Sequence, residues 1–506
     1  MSLSSEPPRG LPPLSERHPM SVLKSLQPQE VFSFFETLAG IPRGSGNEKE
    51  AADWVVNFAQ ARGLEATQDD LHCVLVRKPG QLGLEDAPPL ILHGHLDMVC
   101  EKEDGVVHDF EHDPIELLIE GDFVTANGTS LGADNGIGVS YILALLDSTD
   151  IPHPPLEAVL TAMEEKGKVG AAGFDTSKLS GKRMIDFNWI TDKEILAGCS
   201  GDITFTVDIP AEWEAAPATH LDALQLKVRG LSGGHCEFDI HLERANAVLV
   251  LARALNTVLA QYDVRISDPH GGAQNNAIPA DAQSTLLVRP EDADGVRKVI
   301  LELEDVLQNE YRQADPGLRL ELAPAETPDR VFSAAAAARF ARLTALIPNG
   351  VLSWSLTVPG IVESSNNLGT VRTTANGARL MSTITAAVTS RKHEILDRVR
   401  ALAALAGGGV TVEEYGLDAA EFPYRPDSPL LKVAREAFRD VMGQEADVHV
   451  SQCSLELGMF SQKIPGLDII SIGTELHDLH SPKETVNHTS VTRVWPLVKE
   501  VVSRLK

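Results

Sequence analysis

Short apolar runs that end in histidine or carboxylate residues constrain this chain more than any other feature. Pro89–Leu92 reads as a buried strand and runs straight into His93-Gly94-His95-Leu96-Asp97. Leu156–Met163 is β-branched and apolar, and ends in Glu164-Glu165. Met184–Asn188 is a further short strand. Leu467–Ile472 is another, with His480-Ser481-Pro482 after it. Helical patterns lie between and around these strands, over Pro28–Ala39, Glu48–Arg62, Asn135–Leu146 and, at the end, Thr489–Leu505. Leu71–Arg77 alternates as a strand does. Strands alternating with helices predict an α/β core. In open α/β sheets, ligands bind beyond the carboxyl ends of the strands, which is where these polar clusters fall.

The middle of the chain has a different character. Strands are expected over Leu224–Val228, Ser284–Val288 and Leu380–Thr389. Helices are expected from about Glu243 to Leu259, then over Ala293–Asn309, Ala334–Ala345 and Glu394–Leu405. This pattern predicts an α+β unit inserted into the first domain. The α/β pattern resumes with a helix from Ser428. The expected organisation is a flexible N-terminal extension over 1–24, a first catalytic part over 25–202, a lid and dimerisation domain over 203–412, and a second catalytic part over 413–506. No repeat at solenoid periods and no long low-complexity tract is visible.

Composition narrows the function class. The chain has 506 residues, enough for two to four domains at roughly 150 residues each. With 43% hydrophobic residues, it has the material for packed cores that an acidic disordered chain lacks. Its formal net charge of −28 opposes phosphate binding and argues against a nucleic-acid partner. Five cysteines, widely spaced and without a C-x-x-C pair, make a poor disulfide framework and point to a reducing cytoplasm. The N-terminal stretch lacks the apolar core of a secretory signal. No apolar run reaches the roughly 18–20 residues that span a bilayer, so no membrane association is expected.

Each polar cluster has a chemical reading and a plain one. At His95-x-Asp97, the imidazole can bind a metal while the carboxylate holds its other ring nitrogen; alternatively, H-x-D is a surface turn. Asp134, in Gly132-Ala133-Asp134-Asn135-Gly136, can bridge two cations, its small neighbours allowing close backbone approach; it can equally cap a helix. Adjacent residues in a regular strand face opposite sides, so Glu164 and Glu165 can share a site only where the strand ends and turns. One could then bind metal while the other acts as general base, or both could be solvated charges. His480, with His477 as its rival, is a late ligand or a surface residue beside a proline turn. Together, in this order, the four clusters fit a two-metal hydrolase.

The motifs Ile91-Leu92-His93-Gly94-His95-Leu96-Asp97-Met98-Val99, Ser130-Leu131-Gly132-Ala133-Asp134-Asn135-Gly136 and Glu164-Glu165-Lys166-Gly167 resemble those of the aminoacyl-histidine dipeptidases. That group belongs to the co-catalytic zinc metallopeptidases, which include aminoacylases and carnosinases. The resemblance continues through Gly233-Gly234-His235, Arg244-Ala245-Asn246-Ala247, Asn276-Ala277-Ile278-Pro279, Val358-Pro359-Gly360, Asn367-Leu368-Gly369 and His480-Ser481-Pro482, and covers nearly everything from about residue 25. It implies that His95 binds one metal, that Asp134 bridges both, and that Glu165 and His480 complete the other. It makes Glu164 the general base and Asp97 the partner of His95. His235 would polarise the scissile carbonyl across a dimer, and Asn276 would stand near the substrate.

Four departures accompany the resemblance. Asn188 stands where the family has an aspartate metal ligand, and Asp186 where it has an asparagine-like residue two positions earlier. Thr385 takes the place of a lid arginine, and Gln452 that of a histidine. Either the metal position containing His95 is weakened by Asn188, or Asp186 reaches the metal in its stead.

The expectation is therefore an α/β, zinc-peptidase-like catalytic domain with an inserted α+β lid. It would be a metallo-dipeptidase cleaving unblocked dipeptides, Xaa-His or broader, by a metal-bridging hydroxide with a glutamate base. Its cofactors would be two divalent metal ions, zinc first, with manganese or cobalt as alternatives. Its partners would be a small peptide substrate and a second copy through the lid. The rival readings are an amidohydrolase acting on N-acyl amino acids and a catalytically degenerate binding relative.

Overall fold

Four of the expected strands lie side by side and parallel. Their order is Leu156–Thr161, Leu90–His95, Arg183–Trp189 and Asp468–Gly473. The computed structural model describes residues 22–217 and 221–506, so most of the expected N-terminal extension lies outside the described residues. Val74–Lys78 and then Glu65–Gln68 extend the sheet antiparallel beyond Leu156–Thr161. On the other side, the start of Glu194–Pro210 pairs antiparallel with Asp468–Gly473.

All six residues of Leu90–His95 are buried, as in a parallel strand covered on both faces. The helix Ala133–Asp147 packs against this strand and against Arg183–Trp189. Every residue from Asn135 to Leu146 is buried, which suits a helix apolar all round. The helix begins earlier than the apolar pattern suggested, at Ala133. Asp134 and Asn135 depart from helical backbone angles there, so the first turn opens where the carboxylate sits.

The described residues form two compact units. The first comprises those up to Gly198 together with Tyr424–Val450 and Leu455–Lys506. The second comprises Cys199–Pro423 and Ser451–Ser454. The second unit is built on an antiparallel sheet. Through it run the later part of Glu194–Pro210, then Gly377–Ala386, Val362–Thr373, Arg265–Gly271, Ala282–Val288, Asp222–Arg229 and Arg319–Pro324. Its apolar core joins those strands to the helices Ala247–Leu259, Ala293–Glu310, Ala334–Leu346 and Thr389–Ala406. The α/β class with an α+β insertion is thus the architecture found.

Where element ends differ from expectation, local hydrogen bonds explain the shift. The helix expected from Glu243 starts at Ala247, because Asn246 accepts the N–H groups of Val248 and Leu249 as a cap, a contribution of about 1 kcal/mol. The strand expected from Leu71 starts at Val74. The Asp69 carboxylate accepts the N–H groups of Leu71 and Cys73 and closes a turn first. The strand expected over Leu380–Thr389 runs over Gly377–Ala386, and Thr389 already opens the next helix. Among the described residues, no helix is long and apolar enough to cross a membrane.

Candidate functional site

The carboxyl ends of the four parallel strands deliver the polar clusters to one place. His95 is the last residue of its strand, and Asp97 follows it. Leu156–Thr161 ends three residues before Glu164, so the glutamate pair lies in the turn beyond it. That turn lets neighbouring carboxylates serve one site, as the alternation argument requires. Asp134 opens its helix beside them, and His480 comes from the loop after Asp468–Gly473.

A continuous line of contacts joins these side chains. His95 Nε2 lies 3.0 Å from Asp134 Oδ1. The other oxygen of Asp134 lies 3.5 Å from His480 Nε2, which is 3.0 Å from Glu165 Oε1. Potential ligand atoms of Asp134, Glu165 and His480 all lie within 4.8 Å of one another, and so do those of His95, Glu164 and Glu165. Two imidazoles facing three carboxylates suit divalent cations of the borderline type, since nitrogen and oxygen donors together favour zinc and its neighbours. The rival His477 is exposed, pairs with Glu475 at 3.0 Å and stays outside the cluster.

Asp97 organises the turn rather than joining the line. It is fully buried. One oxygen accepts the Glu164 N–H (3.0 Å) and faces His95 Nδ1 (3.4 Å). The other accepts the Glu165 N–H (3.1 Å) and the Ser45 hydroxyl (2.7 Å). Burial opposes its charge, but His95, Ser45 and the Glu164 amide outweigh that and hold the carboxyl at about 2. With Nδ1 turned to Asp97, His95 presents Nε2 to the cluster.

The titrating groups answer to their surroundings. Burial pushes Glu164 up to about 8; His95 opposes this, while Glu456 and Glu165 add repulsion. Hydrogen bonds to Asp134 and Glu165 push His480 up to about 10. Burial works to lower His95, yet Asp134 and Asp97 raise it well above the ordinary imidazole value.

Asn188 is held by a neighbour the sequence did not single out. The Asn135 side chain accepts the His95 N–H through Oδ1 (3.2 Å) and donates to the Phe187 carbonyl (2.8 Å), which fixes its orientation. Its Nδ2 then donates to Asn188 Oδ1 at 2.7 Å. Asp186 is held instead by side chains opposite it on the two neighbouring strands. It lies 2.8 Å from His93 Nδ1 and accepts from the Ser471 hydroxyl. His93 Nε2 faces Glu456 at 3.2 Å. Burial disfavours charge on His93, but Asp186 and Glu456 overcome it and raise the imidazole to about 9.

His235 and Asn276 belong to the second unit, where His235 pairs with Ala277 in a short two-stranded ladder. The Glu237 N–H donates to His235 Nδ1 (3.2 Å), and the Asn276 side-chain amide faces Nε2 at 3.5 Å. Burial lowers the His235 imidazole below its ordinary value, so the ring is neutral near pH 7. A neutral ring that accepts at Nδ1 carries its proton on Nε2. In the same unit Thr385 is buried on its strand.

Sequence reasoning missed Arg43, Asn135, Glu456 and Glu484. The small residues around Asp134 allow a close approach, and the group that approaches is Arg43. A Cβ at Gly132, where φ is +69°, would lie 2.6 Å from the Arg43 guanidinium, and one at Gly136 would lie 2.7 Å from it.

Comparison with known proteins gives concordant matches. A profile of Peptidase family M20/M25/M40 matches residues 91–503. The chain is 33% identical over 489 residues to the cytosol non-specific dipeptidase of Escherichia coli (strain K12), covering 96% of this chain and 99% of that protein. The crystal structure of aminoacylhistidine dipeptidase from Vibrio alginolyticus matches with a TM-score of 0.87 and 30% identity, over 96% of this chain and 98% of that one. The aminopeptidase PepT of Bacillus cereus shares the fold at a TM-score of 0.54 and 13% identity, over 95% and 99% of the two chains.

Proposed function

The chain belongs to Peptidase family M20/M25/M40, and from that premise we propose that it is a metal-dependent dipeptidase acting on unblocked dipeptides, Xaa-His among them. The observation that carries this reading is the line of donors His95, Asp134, His480 and Glu165, gathered beyond the carboxyl ends of the parallel strands. Two similar proteins that align along nearly their whole length are named as dipeptidases.

In this proposal His95, Asp134, Glu165 and His480 hold two divalent cations, zinc by preference and manganese or cobalt by substitution. Such cations supply Lewis acidity, which polarises a peptide carbonyl and acidifies water. Glu164 accepts the proton of the attacking water and returns it to the leaving amine nitrogen. Asp97 keeps the Glu164 and Glu165 amides and the His95 ring in fixed orientation through the contacts described. The proton on His235 Nε2 suits an oxyanion donor, since a positioned donor is worth most where charge develops. Asn276, beside this ring, would stand near the substrate.

The second unit serves as lid and dimerisation surface in this reading, with His235 offered to the site of a partner subunit. The spans proposed for these parts are 203–412 for the lid, with 25–202 and 413–506 forming the catalytic domain. The protein would work in the cytoplasm. The test is metal analysis of the purified protein beside turnover of a dipeptide panel and of N-acyl amino acids. Metal-dependent cleavage of dipeptides is the expected result. Preference for the acyl substrates, or turnover indifferent to a chelator, would overturn it.

A further inference from the structure

The segment Leu131–Asp134 carries the central carboxylate of the donor line, and two buried groups of opposite charge hold it. Glu484 is 3% exposed and accepts four consecutive backbone N–H groups. One oxygen takes Leu131 and Gly132, both at 2.9 Å; the other takes Ala133 (2.8 Å) and Asp134 (3.2 Å). Arg43 is 2% exposed and donates to the Gly132 carbonyl. The same guanidinium donates to the carbonyls of Leu96 (2.9 Å) and Asp97 (3.3 Å).

Helix amino termini need acceptors for their free N–H groups, and a capping carboxylate is the plain account of Glu484. That account leaves out where the two residues sit. Glu484 follows His480 by four positions, in a turn closed by its own N–H on the Ser481 carbonyl. Arg43 reaches the chain between His95 and the glutamate turn. Three loops, bearing His95 with Asp97, Asp134, and His480, are therefore tied together by two residues outside the donor line. Gly132 and Gly136 leave the space that the guanidinium fills.

We propose, on the footing of the metal-dependent reading above, that Arg43 and Glu484 are positioning residues whose clamp on Leu131–Asp134 sets the spacing of Asp134 from His95 on one side and from His480 on the other. Neither contributes a metal ligand. Their effect reaches the metals through the geometry of Asp134.

The experiment is titration of cobalt(II) into the metal-free full-length protein, followed by visible absorption, with dipeptide turnover assayed in parallel. Glu484→Gln keeps the size but turns an NH2 group against two of the four N–H donors. Loss of such an outer partner typically weakens metal binding by about 10- to 100-fold, and the cobalt absorption bands should shift with it. Glu157→Gln is the matched control. Glu157 is also buried and accepts the N–H groups of Ser180 and Gly181, away from the donor line. Unchanged cobalt binding in Glu157→Gln together with weakened, shifted binding in Glu484→Gln is the expected result. Cobalt binding unaltered in Glu484→Gln overturns the proposal. Equal weakening in both variants also overturns it, since that is general destabilisation. Should Glu484→Gln fail to fold, Arg43→Lys tests the other end; it keeps the charge but cannot span the three carbonyls, and unaltered cobalt binding there overturns the clamp as well. A chain that binds cobalt yet is inert on dipeptides defeats the functional reading alone.

Discussion

Asp186 lies 2.8 Å from His93 inside the sheet, with both side chains buried. This pairing commits the carboxylate two residues before Asn188, the candidate to replace a missing charge at the donor cluster. Asn188 itself is neutral, and its oxygen already accepts from Asn135.

The first prediction follows from that pairing. Asn188→Asp should tighten the weaker of the two metal positions, because a carboxylate adds the charge on which divalent cations rely. Asp186→Asn should leave the metal count unchanged but cost about 3–5 kcal/mol of stability, the usual penalty for stripping one partner from a buried ion pair. Calorimetric metal titration and urea denaturation of both variants check this. Loss of a metal in Asp186→Asn would mean that Asp186 serves the site after all.

Glu164→Gln keeps the shape of the side chain and removes its ability to take a proton. Turnover of a dipeptide should fall by about 10²-fold or more. Metal content, measured on the same sample, should stay at the unaltered level. Full turnover in a metal-replete sample would remove Glu164 from the reaction.

A dimer with shared sites predicts complementation. Glu164→Gln and His235→Ala are each expected to be nearly inactive. Mixed in equal amounts with subunit exchange, they should recover about one quarter of the unaltered activity, because half of the two-fold dimers are hybrids with one intact site. No recovery, with exchange shown by a tag on one variant, would place His235 within its own subunit's site or outside the reaction.

His153 predicts a pH effect on stability. The ring is fully buried and its Nδ1 donates to the Pro154 carbonyl at 2.7 Å. Burial holds it down at about 4, with Pro154 opposing and Lys78 reinforcing. An unfolded chain takes up a proton on this histidine near pH 6.5, whereas the native state does so only near 4. Stability is therefore lost as pH falls between those values, at up to about 1.4 kcal/mol per pH unit. Urea midpoints measured from pH 7 to pH 5 should fall more steeply for the unaltered protein than for His153→Gln. Parallel curves would show that the buried ring does not stay neutral.

The donor line was legible because its members stand just after strands or at the start of a helix, in a recognisable order. His95, Asp134, Glu165 and His480 each follow an apolar run or open one, and topology converts those positions into proximity. Arg43 and Glu484 carried no comparable signal. An arginine after a proline and a glutamate after a lysine are ordinary loop residues, and only the folded backbone shows that they grip one segment. His93 was hidden differently: it sits inside the strand motif, two residues from His95 on the same face, and nothing local tells which of the two faces the cluster. The start of Glu194–Pro210 went unread because Gly198, Ser200 and Gly201 interrupt its apolar pattern. Its partners on either side, distant in sequence, supply the pairing that its composition does not.

The first unit is assembled from both ends of the chain, with the second unit threaded between them. In a protein made from its amino terminus onward, His95, Asp134 and the glutamate pair emerge early, while Asp468–Gly473 and His480 emerge only after the whole insertion. The last central strand and the last donor arrive together, from the same short stretch of chain. On the proposed reading, competence to cut peptide bonds waits for the late stretch that carries His480, and a chain made only as far as the insertion would hold three of the four donors.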